Sequence, residues 1–295
     1  MIERKKVLAV GASGPYAGLV VPELAKRGVT VRGLIRDSAE ADRVRHSGAA
    51  EIAIGDLRDR KSLDAALKGV DSVFYLAPAF IQGEIEIGQG MVDAAKQAGV
   101  RRFVFSSVIH PILSALVNHG AKAAVEEAIL TSDMEYTFLH PALFFQNLER
   151  SWPTVVETSI FAEPWSTVTR FTRVDYRDVA EVAAIALTED RLLFGTFELC
   201  AEGNLDREDV AALMGEVLRK KIGAAMLSPE ETAESPGDTG DENRDSPMQR
   251  MFAWYGDHGL LGNPLILRAI LGREPRALRA YIEELAANPA HPSAR

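Results

Sequence analysis

The sequence has a single cysteine, Cys200, among its 295 residues. One thiol excludes an internal disulfide and a metal site made of several cysteines. Cys200 lies in the apolar segment 196–200, so we expect it to be a small core residue. No apolar run approaches the roughly 18 residues of a membrane helix. Because residues 1–6 lead directly into an apolar segment without the pattern of a signal peptide, we expect a cytoplasmic protein with no membrane partner.

The sequence also has no excess of basic over acidic residues. The 33 lysines and arginines are outnumbered by 42 aspartates and glutamates, which gives a net charge of −9. Binding to a phosphate backbone requires a basic surface, so no nucleic-acid partner is expected. At this length we expect a dinucleotide-binding domain over 1–150, followed by a substrate-binding or lid region over 151–295 that is partly interleaved with the sheet.

Short apolar segments alternate with helical patterns through the first half of the chain. The segments are rich in Val, Ile and Phe and several are apolar on both faces, which is typical of parallel strands covered by helices on both sides. The pattern predicts an α/β fold with a doubly wound parallel sheet, Rossmann-like, and a smaller C-terminal α/β region. Strands are predicted at 7–10, 29–35, 51–54, 72–76, 102–106 and 136–139, and helices at 17–27, 38–47, 60–68, 84–98 and 115–131.

A glycine-rich turn follows the first strand, with the spacing Gly11-x-x-Gly14-x-x-Ala17. Gly11 allows a tight turn, Gly14 allows the backbone to approach a phosphate, and the small Ala17 allows a helix to pack closely on the strand. The N–H groups at the start of the next helix complete an anion site. We therefore predict that this turn, including Ser13, binds the pyrophosphate of a dinucleotide. Tyr16 is placed near the meeting point of cofactor and substrate, and the alternative is that its ring covers the helix start.

Residues that directly follow parallel strands are candidate cofactor contacts, because such sheets bind ligands at the carboxyl ends of their strands. Arg36 follows the second strand, where a guanidinium can bind a 2′-phosphate; this favours NADP over NAD, and the alternative is a solvated loop charge. After the third strand, Asp56 can accept from the adenine amino group with Leu57 against the ring, or Asp56 can cap the next helix. The predicted set is completed after the fourth and fifth strands by Leu76, Ala77, Pro78 and Ser106.

The second half of the chain carries fewer motifs. Strands are predicted at 165–173 and 195–200, and helices at 176–188, 206–220 and 275–286. Residues 228–247, rich in Glu, Asp, Pro and Ser, are predicted to form a solvated loop, with an interaction tail as the alternative. Their position just before residues 248–255 would also suit a mobile lid. Trp254 and Tyr255 offer an aromatic wall for an aromatic substrate, or else pack their helix on the main body.

Five motifs occur in order along the chain: Gly11-Ala-Ser-Gly14, Gly55-Asp-Leu-x-Asp59, Leu139-His-Pro-x-x-Phe-x-x-Asn147, Val174-Asp-x-Arg-Asp-Val-Ala180 and Leu271-Gly-Arg-x-Pro275. Together they resemble the NmrA-like group of atypical short-chain dehydrogenase/reductases. The resemblance implies NAD(P) across the carboxyl edge of the sheet; separately, no metal is expected. The resemblance also implies that Pro141 and Phe144 lie beside the nicotinamide of the cofactor and that Phe145 and Asn147 face the substrate. Members include quinone and aromatic-substrate reductases and also non-catalytic redox sensors.

The same resemblance places the Tyr-x-x-x-Lys of short-chain dehydrogenases at residues 118–122. Lys122 is retained and is expected to reach the nicotinamide ribose, whereas Asn118 stands where the tyrosine would supply a proton. We predict that His119 substitutes as a catalytic group, with His110 as a second option and a surface or cap role as the alternative for both. Reduction of a quinone-like acceptor needs no side-chain acid, because water can protonate the delocalised product.

Two functions are predicted from these features. The first is an NAD(P)H-dependent oxidoreductase that transfers hydride to a quinone-like or conjugated aromatic carbonyl acceptor, with a small aromatic or quinone-like molecule as its partner. The second is a non-catalytic NAD(P)-binding redox sensor that acts through a protein partner. The retained lysine and the aromatic residues favour the first, and the missing tyrosine favours the second. An epimerase or dehydratase of nucleotide sugars is disfavoured by the same absence.

Overall fold

The computed structural model describes residues 5–228 and 246–288. The chain forms two compact units, each made of two segments. The first unit contains Met1–His140 and Arg177–Phe197, and the second contains Pro141–Tyr176 and Glu198–Arg295. The functional division expected at residue 150 stays a prediction. Within the described ranges, no helix is both long enough and apolar enough to cross a membrane.

The main sheet is built from β1 (Lys6–Val10), β2 (Thr30–Ile35), β3 (Glu51–Ile54), β4 (Ser72–Leu76), β5 (Arg102–Ser106), β6 (Glu135–Pro141) and β10 (Gly195–Leu199). The order across the described sheet is β10–β6–β5–β4–β1–β2–β3. Strands β1 to β6 pair in parallel. The strand order reverses direction between β1 and β4, as it does in doubly wound folds, so the predicted fold class is confirmed. The six strands predicted for the first half are present, with ends shifted by at most two residues.

Helices follow the strands of the first unit as predicted, but two of them are shorter than expected. The stretches 17–27 and 38–47 each begin with a 3-10 turn, Ala17–Leu19 and Ser38–Glu40, before the α-helix starts. After β6 the chain enters the second unit, which contains α6 (Leu148–Thr158). It re-enters the first unit at the start of α7 (Tyr176–Thr188). The helices between the strands are α1 (Val20–Lys26), α2 (Ala41–His46), α3 (Arg60–Leu67), α4 (Glu84–Gln97) and α5 (Val117–Leu130).

A fully buried arginine, Arg102 of β5, connects the sheet to the end of α7. Its Nη1 donates to the carbonyl oxygens of Ala186 and Glu189 at 2.9 and 2.8 Å. Its Nη2 donates to Asp190 at 2.5 Å and its Nε to Glu135 at 2.9 Å. Because each guanidinium nitrogen has an oxygen partner, the buried charge is compensated and the returning segment is held against β5 and β6.

The second unit consists of short strands and helices, and here the sequence analysis is less accurate. The strand predicted at 165–173 is wrong over most of its length, since only Phe171–Val174 is extended. Trp165 packs its ring 4.7 Å from that of Phe171 instead, which requires the intervening residues to loop. The strands are β7 (Leu143–Phe144), β8 (Ile160–Glu163), β9 (Phe171–Val174), β11 (Asn204–Leu205) and β12 (Gly223–Met226). The remaining helices are α8 (Arg207–Leu218), α9 (Pro247–His258), α10 (Leu265–Leu271) and α11 (Leu278–Ala287).

The strands β8 and β12 and the helices α6 and α10 were not predicted. Strand β8 pairs in parallel with β12, more than 50 residues away along the chain, and neither strand has a strong apolar pattern. A second core contains Phe145, Trp152 and Ile282 and joins α6, α8 and α11. The predicted acidic loop lies almost wholly outside the described residues, and only Ser228, Ser246 and Pro247 fall within them.

Cys200 is completely buried at the end of β10. Burial raises the pKa of its thiol to about 12, so the reactive thiolate is scarce at neutral pH. We expect no reaction with a thiol-specific disulfide reagent in the folded protein and one thiol per chain after denaturation. Spectrophotometric thiol counting with and without denaturant tests this. A full equivalent that reacts immediately under native conditions would contradict it.

Candidate active site

The carboxyl ends of the parallel strands form one edge of the main sheet. Continuing the β1–β4 register by two residues puts Gly11 beside Leu76. Leu76 is in turn paired with Ser106 of β5, and Ser106 with Leu139 of β6. On the other side, the β1–β2 register leads to Arg36 one residue beyond the same edge. The strand-end residues singled out in the sequence therefore lie in one row, where doubly wound sheets bind their ligands.

The turn after β1 has the geometry that a pyrophosphate requires. Gly11 has a φ of +73°, and its carbonyl accepts the Gly14 N–H at 2.8 Å. A Cβ on Gly14 would lie 3.2 Å from the Gly11 oxygen, and one on Gly18 would lie 2.9 Å from the Ala12 oxygen. Of these two glycines, Gly18 brings the 3-10 turn before α1 closer to the backbone of the glycine turn, and Ala17 beside it is buried. The turn offers backbone rather than side chains, and these residues fit a dinucleotide.

Two arginines lie near this turn. Arg36 follows β2 and is exposed, while the neighbouring Asp37 accepts the Ala39 N–H at 2.8 Å and starts the 3-10 turn before α2. Arg43 of α2 reaches back and donates from Nη2 to the Ser13 carbonyl oxygen at 2.6 Å. Arg43 was missed by the sequence analysis, because nothing in its local spacing indicates a contact with a residue 30 positions earlier.

Asp56 and Leu57 follow β3 as predicted. The Asp56 carboxylate accepts the Arg58 N–H at 2.8 Å, which is a local turn contact. The alternative role predicted for Asp56, capping the next helix, is wrong, because the N-cap of α3 is Asp59, whose carboxylate accepts the Lys61 N–H. Leu57 lines an open depression of about 390 Å3 together with Gln82 and Gly83. Half-buried positions are taken by Tyr16, Leu76 and Pro78, and buried ones by Ala77 and Ser106.

Lys122 is a nearly buried charged residue of the first unit. Its side chain on α5 is only 6% exposed, and its ammonium forms an ion pair with Glu84, which is 8% exposed. The other carboxylate oxygen of Glu84 accepts the Phe80 N–H at 3.0 Å. Glu84 therefore connects Lys122 to the segment that follows β4 at the sheet edge. A buried ammonium remains charged only with such a partner, and the sequence analysis did not identify this one.

A buried phenol accompanies the pair. The Tyr75 ring stacks on Phe105 with centroids 5.6 Å apart, and its hydroxyl has no hydrogen-bond partner within the described residues. Burial, assisted by the negative charge of Glu84, raises the pKa of Tyr75, so the phenol remains neutral. Helix α4 lies close to α5 here, since a Cβ on Gly88 would lie 2.2 Å from Val125. Tyr75 is thus a core residue next to the Lys122–Glu84 pair.

Asn118 and His119 precede Lys122 on α5, in the stretch where the resemblance predicts the tyrosine. The Asn118 amide oxygen is buried without a hydrogen-bond partner among the described residues. His119 is completely buried, and its Nδ1 lies 2.9 Å from the His110 carbonyl oxygen, to which it donates. Burial lowers the pKa of His119, so its imidazole is neutral at pH 7. Its role as a catalytic group stays a prediction.

In the second unit, the last residue of β6 and the segment after it contain the residues expected at nicotinamide and substrate. Pro141 is buried, and the half-buried Phe144 contacts Tyr176 edge to face at 4.8 Å. Phe145 is 1% exposed and packs in the second core, 5.7 Å from Tyr281, so its contact with a substrate stays a prediction. Asn147 is exposed at the end of a 3-10 turn.

Trp254 and Tyr255 lie on α9 with different surroundings. Tyr255 is 4% exposed and meets the rings of Trp165 and Phe171 at 6.1 Å each, so it packs the helix on its own unit. Trp254 is half-buried and lies 4.6 Å from the His258 ring. Of the two, Trp254 is the one with accessible surface, and its part in a substrate wall stays a prediction.

Comparison with known families agrees with this arrangement. The model of the NmrA-like family matches residues 3–286. The chain belongs to the NmrA-like family. An NAD(P)H azoreductase of Xenophilus azovorans is 27% identical over 283 residues, covering 95% of this chain and 98% of that protein. The resemblance inferred from the five sequence motifs is therefore confirmed.

Solved structures of comparable length share the fold. A triphenylmethane reductase of Citrobacter is 22% identical with a TM-score of 0.79, over 95% of this chain and 98% of that one. An NADPH-dependent quinone oxidoreductase of Escherichia coli, crystallised with NADPH, is 20% identical with a TM-score of 0.82, over 95% and 99%. At these identities the likeness shows the fold, and the activity has to be argued from this chain's own residues.

Proposed function

We propose that this NmrA-like protein is an NAD(P)H-dependent oxidoreductase whose acceptor is quinone-like or a conjugated aromatic carbonyl compound. The observation that carries the proposal is the row at the sheet edge, which begins with a glycine turn that fits a pyrophosphate. The azoreductase and quinone oxidoreductase activities by which relatives are named support the same reaction class. The relatives' names support the reaction class, and the choice of an aromatic or quinone-like acceptor is our own proposal.

The residues that would bind the dinucleotide are distributed along the edge. The turn from Gly11 to Gly14 would take the pyrophosphate, Arg36 the 2′-phosphate, and Leu57 the adenine face. Lys122 would lie at the nicotinamide ribose, held in place by Glu84. A bound nicotinamide would supply the hydride, and the reduced acceptor would take its proton from water.

The protein's own contribution to the chemistry is position and charge. The Lys122 ammonium is a fixed positive charge at low exposure, where electrostatic interactions are stronger than in water. No tyrosine donates a proton at position 118, and the neutral imidazole of His119 is a poor acid at pH 7. An acceptor that delocalises the incoming charge fits such a site better than a simple ketone.

Replacing Arg36 by Ala is expected to weaken NADPH binding about tenfold or more and to leave NADH binding unchanged, because one charge-assisted contact to the 2′-phosphate is lost. Fluorescence titration with both nucleotides measures this. Arg45→Ala is the matched control, since Arg45 is also exposed but pairs with Asp42 on α2. An equal loss for both nucleotides would show that Arg36 does not recognise the phosphate.

NADPH oxidation in the presence of a panel of quinones and aromatic carbonyl compounds tests the reaction itself. Turnover above the rate without protein, with simple ketones inactive, is the expected result. Tight NADPH binding without oxidation of any acceptor would favour the redox sensor. Asn118, in the place of the proton-donating tyrosine, is the observation that keeps this second function in consideration.

A further inference from the structure

A cluster of three polar side chains lies beside the sheet edge and has no part in the function proposed above. The Ser107 hydroxyl donates to Glu126 Oε1 at 2.5 Å, and His140 Nε2 lies 2.8 Å from the same oxygen. Ser107 and His140 are buried, and the Glu126 side chain is 13% exposed. The three come from different elements, since Ser107 directly follows β5, Glu126 lies on α5 and His140 on β6.

The cluster is next to Lys122 along the helix. Glu126 follows Lys122 by four residues, which is about one turn, so the two side chains leave the same side of α5. Ser107 follows Ser106 of the edge row, and His140 precedes Pro141. A single carboxylate thus ties α5 to the ends of β5 and β6 at the level of the edge.

The two hydrogen bonds to Glu126 differ in one respect: an imidazole such as that of His140 can take up a proton, whereas the Ser107 hydroxyl cannot. The Nε2–H of a neutral imidazole can donate to Glu126, and a protonated imidazole adds an ion pair to the same hydrogen bond. Free imidazole loses its proton near neutrality. The guanidinium of an arginine, which serves as the comparison in the experiment below, remains charged at any pH that proteins tolerate. A hydrogen bond from an imidazole to a carboxylate thus differs in strength between the neutral and the protonated ring, whereas one from a hydroxyl does not.

We propose that the Ser107–Glu126–His140 cluster positions Lys122 by anchoring α5, and that the charge on His140 sets how firmly the helix is held. The three are positioning residues, because they act through Lys122 and not on the reacting atoms. The proposal rests on the proposed function for the role of Lys122, but the anchoring of α5 can be measured without it.

Other titratable groups on the neighbouring elements contribute to any pH profile. Glu126 is the charged group that hydrogen-bonds to His140 from α5, and the residue after β5, Ser107, contributes a hydroxyl to the same carboxylate. Arg102, at the opposite end of β5, is paired with Glu135 and Asp190. The other titratable groups buried on α4, α5 and α7 in this unit are Glu84, His119, Lys122 and Asp178. Comparing variants that differ only at position 140 cancels these contributions and those of the nucleotide phosphates.

The experiment compares wild type, His140→Arg and His140→Gln from about pH 6 to about pH 9, the range in which imidazoles titrate. NADPH affinity by fluorescence and thermal midpoint are both measured. The arginine variant is expected to match wild type at low pH and to bind about tenfold more tightly at high pH. The glutamine variant is expected to match wild type at high pH and to be about tenfold weaker at low pH. Thermal midpoints should follow the same signs, because a protonated imidazole adds an ion pair to the hydrogen bond with Glu126 and a neutral imidazole does not.

Three further variants make the outcome decisive. Glu126→Gln, which cannot form the ion pair, should lose the pH-dependent component, and Ser107→Ala should keep it with a lower midpoint throughout. His46→Arg is the matched control, because His46 is exposed on α2. Profiles that stay parallel in all variants, in both readouts, would overturn the proposal. If wild type binds no NADPH, the proposed function fails, and the thermal midpoints still decide whether His140 anchors α5 through its charge.

Discussion

Replacing Lys122 by Met is expected to lower kcat/KM for NADPH-dependent quinone reduction by about a hundredfold or more, as electrostatic groups in active sites do. The Lys122 side chain is 6% exposed and paired with Glu84. After the substitution, solvent has little access to the site and cannot replace the lost positive charge. Steady-state rates measure the effect, with Lys96→Met as the matched control. Lys96 lies on α4 but is half exposed and pairs with Asp133 at 3.4 Å.

The same substitution is expected to destabilise the fold, which has to be separated from the loss of activity. Removing one partner of a buried ion pair typically costs about 3–5 kcal/mol, because the remaining charge is left unpaired. The double variant Lys122→Met/Glu84→Gln removes both charges and should recover most of the free energy of unfolding without recovering turnover. If turnover recovers together with stability, Lys122 serves the fold and not the reaction.

Replacing Gly11 by Val is expected to weaken binding of both nucleotides more than a hundredfold. At a φ of +73° a branched side chain is strained by about 1–2 kcal/mol, and it also adds bulk where the backbone must approach a phosphate. Titration with NADPH and NADH measures the loss. It should affect both, in contrast to the Arg36 substitution, because the pyrophosphate is common to the two.

Gly28→Val separates the backbone strain from the loss of the phosphate site. Gly28 has nearly the same φ, +74°, at the end of α1, and a Cβ there would have no described atom within 4 Å beyond its chain neighbours. This variant should lose a similar amount of stability and keep its nucleotide affinity. Equal affinity losses in the two valine variants would show that the turn after β1 is not where the dinucleotide binds.

Local sequence patterns were sufficient for the doubly wound sheet. Each of its first six strands is a short apolar run bounded by turn residues, and each helix between them has apolar spacing of its own. The glycine turn was recognisable because Gly11 and Gly14 are adjacent to the strand they follow. In the second unit, β8 and β12 lack such patterns and exist because they pair with each other, so prediction failed there.

The sequence alone thus determined the fold class, the family and the row of strand-end residues, because strand, turn and helix signals are short-range and a parallel sheet brings its carboxyl ends to one edge. Only the tertiary structure decided the partners of the charged residues at that edge. Glu84 reaches Lys122 across 38 residues, and Glu126 joins Ser107 and His140 across 19 and 14. No spacing rule connects such positions, since they meet only when α4 and α5 pack against the sheet and burial makes each charge require a partner.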